Sequence, residues 1–339
     1  MIKLVSTKTN KLFIMKTTLL FLSVLLSVNI IGQNVYIPDA NFKAYLVGYS
    51  AINTNGDTEI QVAEANVFTG EIDCSELGIS DLTGIEAFTA LTELRCWDNQ
   101  LTSLNVSQNV NLNFLYCFNN QLTSLDLSQN TDLISLGCSS NQLISLDVSQ
   151  NVNLQTLNID GNQLTSLDLS QNPLLSFLFC NNNQLTSLDL SQNPLLSVLF
   201  CDNNQFISLD VSENPILVEF FCSNNEQLTC LNLANGNNIG LYIYVYDNFN
   251  LTCMEVDNVE WSIANWTAPL YVDTQTSFSE NCYNECSSST VGIDEFSDNT
   301  RTRYQILDLM GRETNFKPNT PLIYVYADGT TEKVFSVEY

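Results

Sequence analysis

Three sets of residues carry enough chemistry to suggest a function: eleven cysteines, an excess of carboxylates and a run of outward aromatic rings. Histidine is absent. There is therefore no Ser-His-Asp triad, no Cys-His dyad and no His-ligated zinc site. Seven of the cysteines, Cys74, Cys96, Cys117, Cys138, Cys180, Cys201 and Cys222, recur at one fixed position and would make a metal or redox ladder if they shared a site. Ile159 and Val245 replace cysteine at that same position, so the slot asks for a small apolar side chain and the ladder reads as core. Asp126, Asp147, Asp168, Asp189 and Asp210 form an even array. A glycosidase needs two differing carboxyl groups in one pocket, and that pattern is missing. The row could attract cations or a basic partner, or serve as a solvated face bonded to neighbouring Ser and Thr.

The framework that positions these residues is a repeat. Leu94-x-Cys96-x-x-Asn99-x-Leu101-x-x-Leu104-x-Val106-x-x-Asn109 returns one period later as Leu115-x-Cys117-x-x-Asn120, and the register holds through Leu136, Leu157, Leu178 and Leu199. The step lengthens after Phe220, resuming at Ile243-x-Val245, and a degenerate Ile72-x-Cys74 copy precedes the series. A fixed period of this size signals a solenoid. The pattern resembles the leucine-rich repeat family in its 21-residue bacterial form and covers residues 72 to 258. The alternation at Leu115 and Cys117, then Leu125 and Leu127, is that of strands buried on one face. The expected fold is a mainly β repeat solenoid in which each coil supplies one strand to each of two parallel sheets, with a small helical N-terminal cap and a short β-rich C-terminal domain. Two asparagine columns, one from Asn99 to Asn225 and one from Asn109 to Asn214, are expected to link turn to turn.

Because the repeats align themselves, they separate scaffold from variable positions. The second segment is nearly invariant, Thr-Ser-Leu-Asp-Leu-Ser in several copies. The outward slots of the first strand vary: Arg95, Tyr116, Gly137, Asn158, Phe179, Phe200, Phe221 and Tyr244 occupy one, while Trp97, Phe114, Phe118, Phe177, Tyr242 and Tyr246 flank it. Such a strip, rimmed by Asp98, Asp160 and Asp202, suits recognition of a peptide, protein or sugar. Cross-strand stacking that only stabilises the sheet, or coverage by another part of the chain, would give the same pattern.

The flanks differ in character. Residues 1–32 hold four lysines and no acid, with an apolar stretch from Leu19 to Ile31 behind Met15 and Lys16. This is the layout of a secretory signal peptide, read most simply from a start at Met15, and it is too short for the ~20 residues of a bilayer span. Beyond it lie 37 acids against 7 bases, a surface that repels nucleic acid. Residues 33–71 are expected to cap the rod. Within them Asn53, Asn55, Asp57 and Glu64 stand at places 1, 3, 5 and 12 of a loop resembling an EF-hand, with Asn for the usual first Asp and Thr58 in the glycine place. Calcium is the one cofactor that resemblance implies.

Residues 259–290 are expected to form the C-terminal cap, around Trp261 and Trp266, and a Ser-rich linker. Segments 304–313 and 322–337 resemble the C-terminal sorting domain of Bacteroidetes type IX secretion cargo, placing the tail at 291–339. Of the four cysteines outside the ladder, Cys230 and Cys253 fall in one outward slot of neighbouring coils and are expected to pair. Cys282 and Cys286 are then the remaining pair.

The reading for function is an exported, secreted or surface-exposed protein with no membrane span in its mature chain. It would bind a protein, peptide or glycan through a non-catalytic sheet face and meet the secretion machinery through its tail. A structural or adhesive surface protein stabilised by cations is the alternative, and a carboxylate-dependent glycoside hydrolase a remote one.

Overall fold

The computed structural model describes residues 32–267 and 271–282, together with strands at 303–308, 321–326 and 331–335. The signal-peptide reading, the Ser-rich linker and Cys286 lie outside these residues. The chain divides into two units, Met1–Ser288 and Ser289–Tyr339.

The first unit opens with helix α1, Ala40–Gly48, capped by Asp39, whose carboxylate accepts from the Asn41 and Phe42 amides at 2.9 and 3.0 Å. This is the usual way to satisfy a helix's first free N–H groups. Its buried residues Phe42 and Leu46 close the start of the core. A single turn, α2, Val62–Ala65, follows, with Glu64 reaching back to the Gln61 amide at 3.0 Å.

Nine parallel strands then stack in order. They are β1 Glu71–Asp73, β2 Glu93–Arg95, β3 Phe114–Tyr116, β4 Ser135–Gly137, β5 Thr156–Asn158, β6 Phe177–Phe179, β7 Val198–Phe200, β9 Glu219–Phe221 and β11 Tyr242–Tyr244. Each strand's central residue faces in, and Leu94, Leu115, Leu136, Leu157, Leu178 and Leu199 pair in register as a fully buried column. The seven ladder cysteines are buried and free. At the turn after each strand one residue has positive φ, from Asp98 (51°) and Asn119 (53°) to Gly161 (64°) and Asp247 (58°). Only Gly, or a short polar side chain that bonds locally, enters that region at low cost, which accounts for the Asp, Asn, Ser and Gly found after β2 to β11; Glu76 (61°), after β1, is the longer exception.

The second parallel sheet is shorter than one strand per coil. Among the described residues it contains only β8 Ser208–Asp210, β10 Cys230–Asn232, β12 Cys253–Glu255 and β13 Ser277–Ser279. In every regular coil neighbouring turns are linked just before this segment, by Gln121 N–H to Leu101 O at 2.8 Å, Gln142 N–H to Leu122 O at 2.9 Å and, in the coil of β8, Gln205 N–H to Leu185 O at 2.9 Å. The second sheet forms where its own coil-to-coil step lengthens. The paired strands set Leu209 beside Leu231, Leu231 beside Met254 and Met254 beside Phe278, each step longer than the regular repeat and each longer than the one before.

The asparagine columns divide the work unequally. Asn120 donates to Cys96 O and Cys117 O at 3.0 and 3.1 Å and accepts from the Leu101 amide at 2.9 Å, clamping one coil to the previous one. In the second column Asn130 donates to Val106 O and Asn109 O at 3.0 and 2.9 Å. Its own Oδ1 accepts nothing, as is true of every member from Asn109 to Asn214.

The disulfide expectation is corrected. Cys253 bonds to Cys282 with α-carbons 5.9 Å apart, so neither the Cys230–Cys253 nor the Cys282–Cys286 pairing forms. Cys230 and Cys253 stand one residue before the Leu231–Met254 pair of adjacent parallel strands. Their side chains run parallel, leaving β-carbons about as far apart as the strands, ~4.8 Å. A disulfide wants roughly 3.5–4.5 Å there. Cys230 is itself disulfide-bonded.

Helix α3, Val259–Trp266, capped by Asn258 on the Trp261 amide at 2.9 Å, buries Trp266 near Phe278, their ring centres 6.1 Å apart. The second unit contains an antiparallel meander of β14 Arg303–Asp308, β15 Pro321–Tyr326 and β16 Thr331–Phe335. Pro321 falls on the first residue of its strand, where a missing N–H is tolerated. Among the described residues no helix is long and apolar enough to cross a membrane.

Candidate partner-binding face

The outward side chains of the nine-stranded sheet sit on a rigid, in-register backbone, so ring neighbours are set by coil stacking. Between Phe179 and Tyr244 the rings form one continuous ladder. Phe179 meets Phe200 edge-on at 5.2 Å, Phe200 and Phe221 stack at 4.2 Å with planes 1° apart, and Phe221 meets Tyr244 edge-on at 4.8 Å. Tyr242 and Tyr244 share a 2.6 Å hydroxyl hydrogen bond, which pushes the Tyr242 phenol up to about 12. Phe177 and Tyr242 remain more than 40 % exposed, and Phe179, Phe200, Phe221 and Tyr244 are half-buried. Cross-strand stacking therefore coexists with open ring surface.

A second cluster lies toward the N-terminal end. Trp97 and Phe118 stack at 5.3 Å, 7° from parallel, while Arg95 sits 5.8 Å from the Tyr116 ring centre and pairs with Glu71 and Glu93 at 2.9 and 2.7 Å. Those carboxylates, Glu93 foremost, hold the guanidinium's pKa up. Phe114 is half-buried beside this cluster. Gly137 and Asn158 separate the two groups. A β-carbon on Gly137 would come within 3.0 Å of the Tyr116 ring, so the tyrosine lies across the glycine.

The strip gains one member that repeat spacing does not reveal. Tyr271 brings its ring within 5.7 Å of Tyr244 and 6.1 Å of Tyr242. It lies beyond the regular period, and the signal that would have found it is its neighbour Val272, which bridges to Val245 in the cysteine register.

The rim carboxylates have a structural task. Asp160 accepts from the Asn181 amide at 2.6 Å, Asn181 Oδ1 from the Asp202 amide at 2.7 Å, and Asp202 from the Ser223 amide at 2.6 Å. This is a third ladder of side chains, confined to these coils, and partial burial raises both aspartates' pKa values despite the bonds. Asp98 instead occupies the left-handed turn position. The row Asp126 to Asp210 is exposed or half-exposed, each carboxylate accepting from the amide two residues on, as Asp126 does from Ser128 at 2.9 Å. Those bonds hold Asp126, Asp147 and Asp168 below the ordinary aspartate range.

The EF-hand-like loop is closed by its own groups. Asn53 is buried, donates to Val47 O and Asp57 O at 2.9 and 2.8 Å, and accepts from the Gly56 amide. Asn55 Oδ1 and Asp57 Oδ1 accept from the Asp57 and Glu59 amides. Burial is the largest single effect on Glu64 and raises its pKa, but the bonds it accepts from the Gln61 amide at 3.0 Å and from the Thr54 hydroxyl and amide at 2.9 and 2.8 Å together bring it below the ordinary value. The side-chain oxygens of the four residues are engaged by the loop's own donors, and Asn53 turns its NH2 group to backbone carbonyls. Burial pushes the Cys74 and Cys117 thiols up to about 12 and raises those of Cys96, Cys138, Cys180 and Cys201 well above the ordinary thiol value, which leaves them inert. Among the described residues, no group of three or more His, Cys, Asp or Glu could hold a metal ion.

The chain is similar over part of its length to an internalin. Internalin J of Listeria monocytogenes is 36 % identical over 77 residues, a stretch covering 22 % of this chain and 8 % of that protein. The chain thus matches only a small fraction of the curated relative's length. Among solved structures, internalin C2 of Listeria monocytogenes gives a TM-score of 0.52 at 21 % identity, covering 67 % of this chain and 98 % of that one. The functional domain of InlJ from the same organism, described as including a cysteine ladder, gives 0.39 at 23 % identity over 90 % and 98 %. No family model matches the chain. The likeness to internalin C2 shows the fold, a repeat solenoid with parallel β-sheet.

Proposed function

We propose that this is an exported, non-catalytic recognition protein that holds a partner against the nine-stranded sheet, with the ladder from Phe179 to Tyr271 as the main contact. The observation that carries the reading is the ladder itself: five rings in unbroken succession, partly open to solvent, on a backbone that cannot adjust. Rigid aromatic surface loses little conformational entropy on binding, which is why such side chains dominate interface hot spots. The basic, apolar leader and the tail's resemblance to a sorting segment support delivery to the cell exterior. The ring cluster of Trp97, Tyr116 and Phe118 is a secondary contact.

The test compares the mature protein with a Phe179→Ser, Phe200→Ser, Phe221→Ser variant on peptide and glycan arrays. Loss of every wild-type signal, with the melting transition retained, is expected; unchanged binding by the folded variant refutes the assignment. The cation-stabilised structural reading is favoured by one feature, the calcium-type spacing of Asn53, Asn55, Asp57 and Glu64. It predicts that chelation, and not ring removal, abolishes surface attachment.

A further inference from the structure

The repeats expose a second apolar element beside the ring ladder. Three residues before the first residue of each strand, the chain carries Asn111, Asp132 and Asn153 in the early coils and Leu174, Leu195, Ile216 and Ile239 in the later ones. The early members include working polar groups: Asn111 donates to Thr89 O at 2.8 Å and Asn153 to Thr131 O at 3.4 Å. The later members project into solvent, 39 %, 43 %, 47 % and 76 % exposed in order. Pro173, Pro194 and Pro215 precede three of them and fix the local backbone. A position that accepts Asn and Asp in three coils of the same scaffold has no packing need for Leu or Ile. The column also coincides with the coils bearing the continuous ladder, where Phe177 and Tyr242 are exposed as well.

Charge narrows the occupant. Residues 33–288 contain 29 acids and only two bases, Lys43 and Arg95. Both bases are already paired, Lys43 with Glu59 at 2.6 Å and Arg95 with Glu71 and Glu93. A second copy of so acidic a surface would be repelled. Aliphatic side chains offer a sugar neither a flat ring nor a hydrogen bond. Given the ring ladder as the binding face, on which this rests, we infer that the partner is a separate protein. It lays an apolar ridge, edged by Lys or Arg, into the angle between the ladder and the Leu174–Ile239 column.

The probe is a fluorescein-labelled 18-residue amphipathic Leu/Lys helical peptide, with a Leu/Glu peptide of identical apolar pattern as control, titrated into the mature protein by anisotropy. Binding of the Leu/Lys peptide is expected to weaken at least about tenfold, the loss of roughly 1.4 kcal/mol, in Leu174→Asn, Leu195→Asn, Ile216→Asn, which takes residues from the same column. The reverse graft, Asn111→Leu, Asp132→Leu, Asn153→Leu, should tighten it, and keeps the test informative if the first variant fails to fold. Equal affinity for wild type and both grafts, equal binding of the Leu/Glu peptide, or no binding of the Leu/Lys peptide overturns the inference. If ring removal abolishes array binding while the column variants leave it intact, this inference falls and the ring-ladder reading stands.

Discussion

Replacing one member of each asparagine column should separate two buried amides that the sequence makes look alike. Asn162 donates to Cys138 O and Ile159 O, each at 3.0 Å, and accepts from the Leu143 amide at 3.0 Å. The two carbonyls also accept from Asn141 and Asn183, so they keep a partner when Asn162 is cut to alanine. The Leu143 N–H does not, and it is buried. Two lost hydrogen bonds at ~1 kcal/mol each and one orphaned donor at ~1–3 kcal/mol sum to roughly 4 kcal/mol. Asn172 donates to Val148 O and Asn151 O at 3.1 and 2.9 Å, and its Oδ1 has no partner. Both of those carbonyls also accept backbone amides, from Asn151 and Leu154. Truncation there orphans nothing and removes an unsatisfied oxygen, for a cost of about 2 kcal/mol or less. The cavity left is the same size and cancels in the comparison. Urea unfolding of the two variants followed by circular dichroism, with the slope checked because stacked coils can unfold in steps, measures the difference. Equal costs, or a larger one for Asn172→Ala, would mean that the hydrogen-bond assignment of the columns is wrong.

Acidity offers a second test. Asp160 and Asp202 have raised folded pKa values, so the folded chain binds more protons than the unfolded one between 3.8 and those values. Stability therefore rises as pH falls from neutrality through that window. It is lost again at lower pH, as Asp39, Glu64, Asp126, Asp147 and Asp168, whose values are lowered, take up protons. Asp160→Asn with Asp202→Asn copies Asn181 in the same ladder, and should raise the neutral melting temperature and flatten the profile; a steeper profile would contradict the burial argument. Breaking Cys253–Cys282 opens a link across 29 residues, worth ~3.5 kcal/mol by chain entropy, and non-reducing peptide mapping should recover that pair. Calcium titration of the mature protein by calorimetry should give no heat at millimolar calcium, because the oxygens of Asn53, Asn55, Asp57 and Glu64 already accept the loop's own amides; a heat that Asp57→Asn with Glu64→Gln removes would favour the cation-stabilised reading instead.

The solenoid was legible because its constraint is periodic. A core slot filled by Leu, Cys or Asn must be filled again one coil later, and Ile159 among the cysteines identifies that slot as packing. What the period could not convey was geometry on a scale finer than one coil. Cys230 and Cys253 are register neighbours, as expected, yet parallel side chains hold their β-carbons too far apart to bond. Thr-Ser-Leu-Asp-Leu-Ser alternates like a strand in several coils, yet among the described residues the segment pairs as a sheet only from Leu209 to Phe278, where its coil-to-coil step lengthens.

Variation among the repeats proved informative in proportion to how well its packing role could be excluded. Asp160 and Asp202 break the pattern of their column, and so resembled a functional rim. Their carboxylates instead accept the next coil's amides, as Asn181 does between them. Leu174, Leu195 and Ile216 break theirs in the opposite sense. Where Asn111 and Asn153 bond to the preceding coil, these replace a bonding group with exposed hydrocarbon. A departure that adds a hydrogen bond is explained by the scaffold. One that gives up a bond and exposes apolar surface is not, and a contact made outside the chain supplies the missing cause.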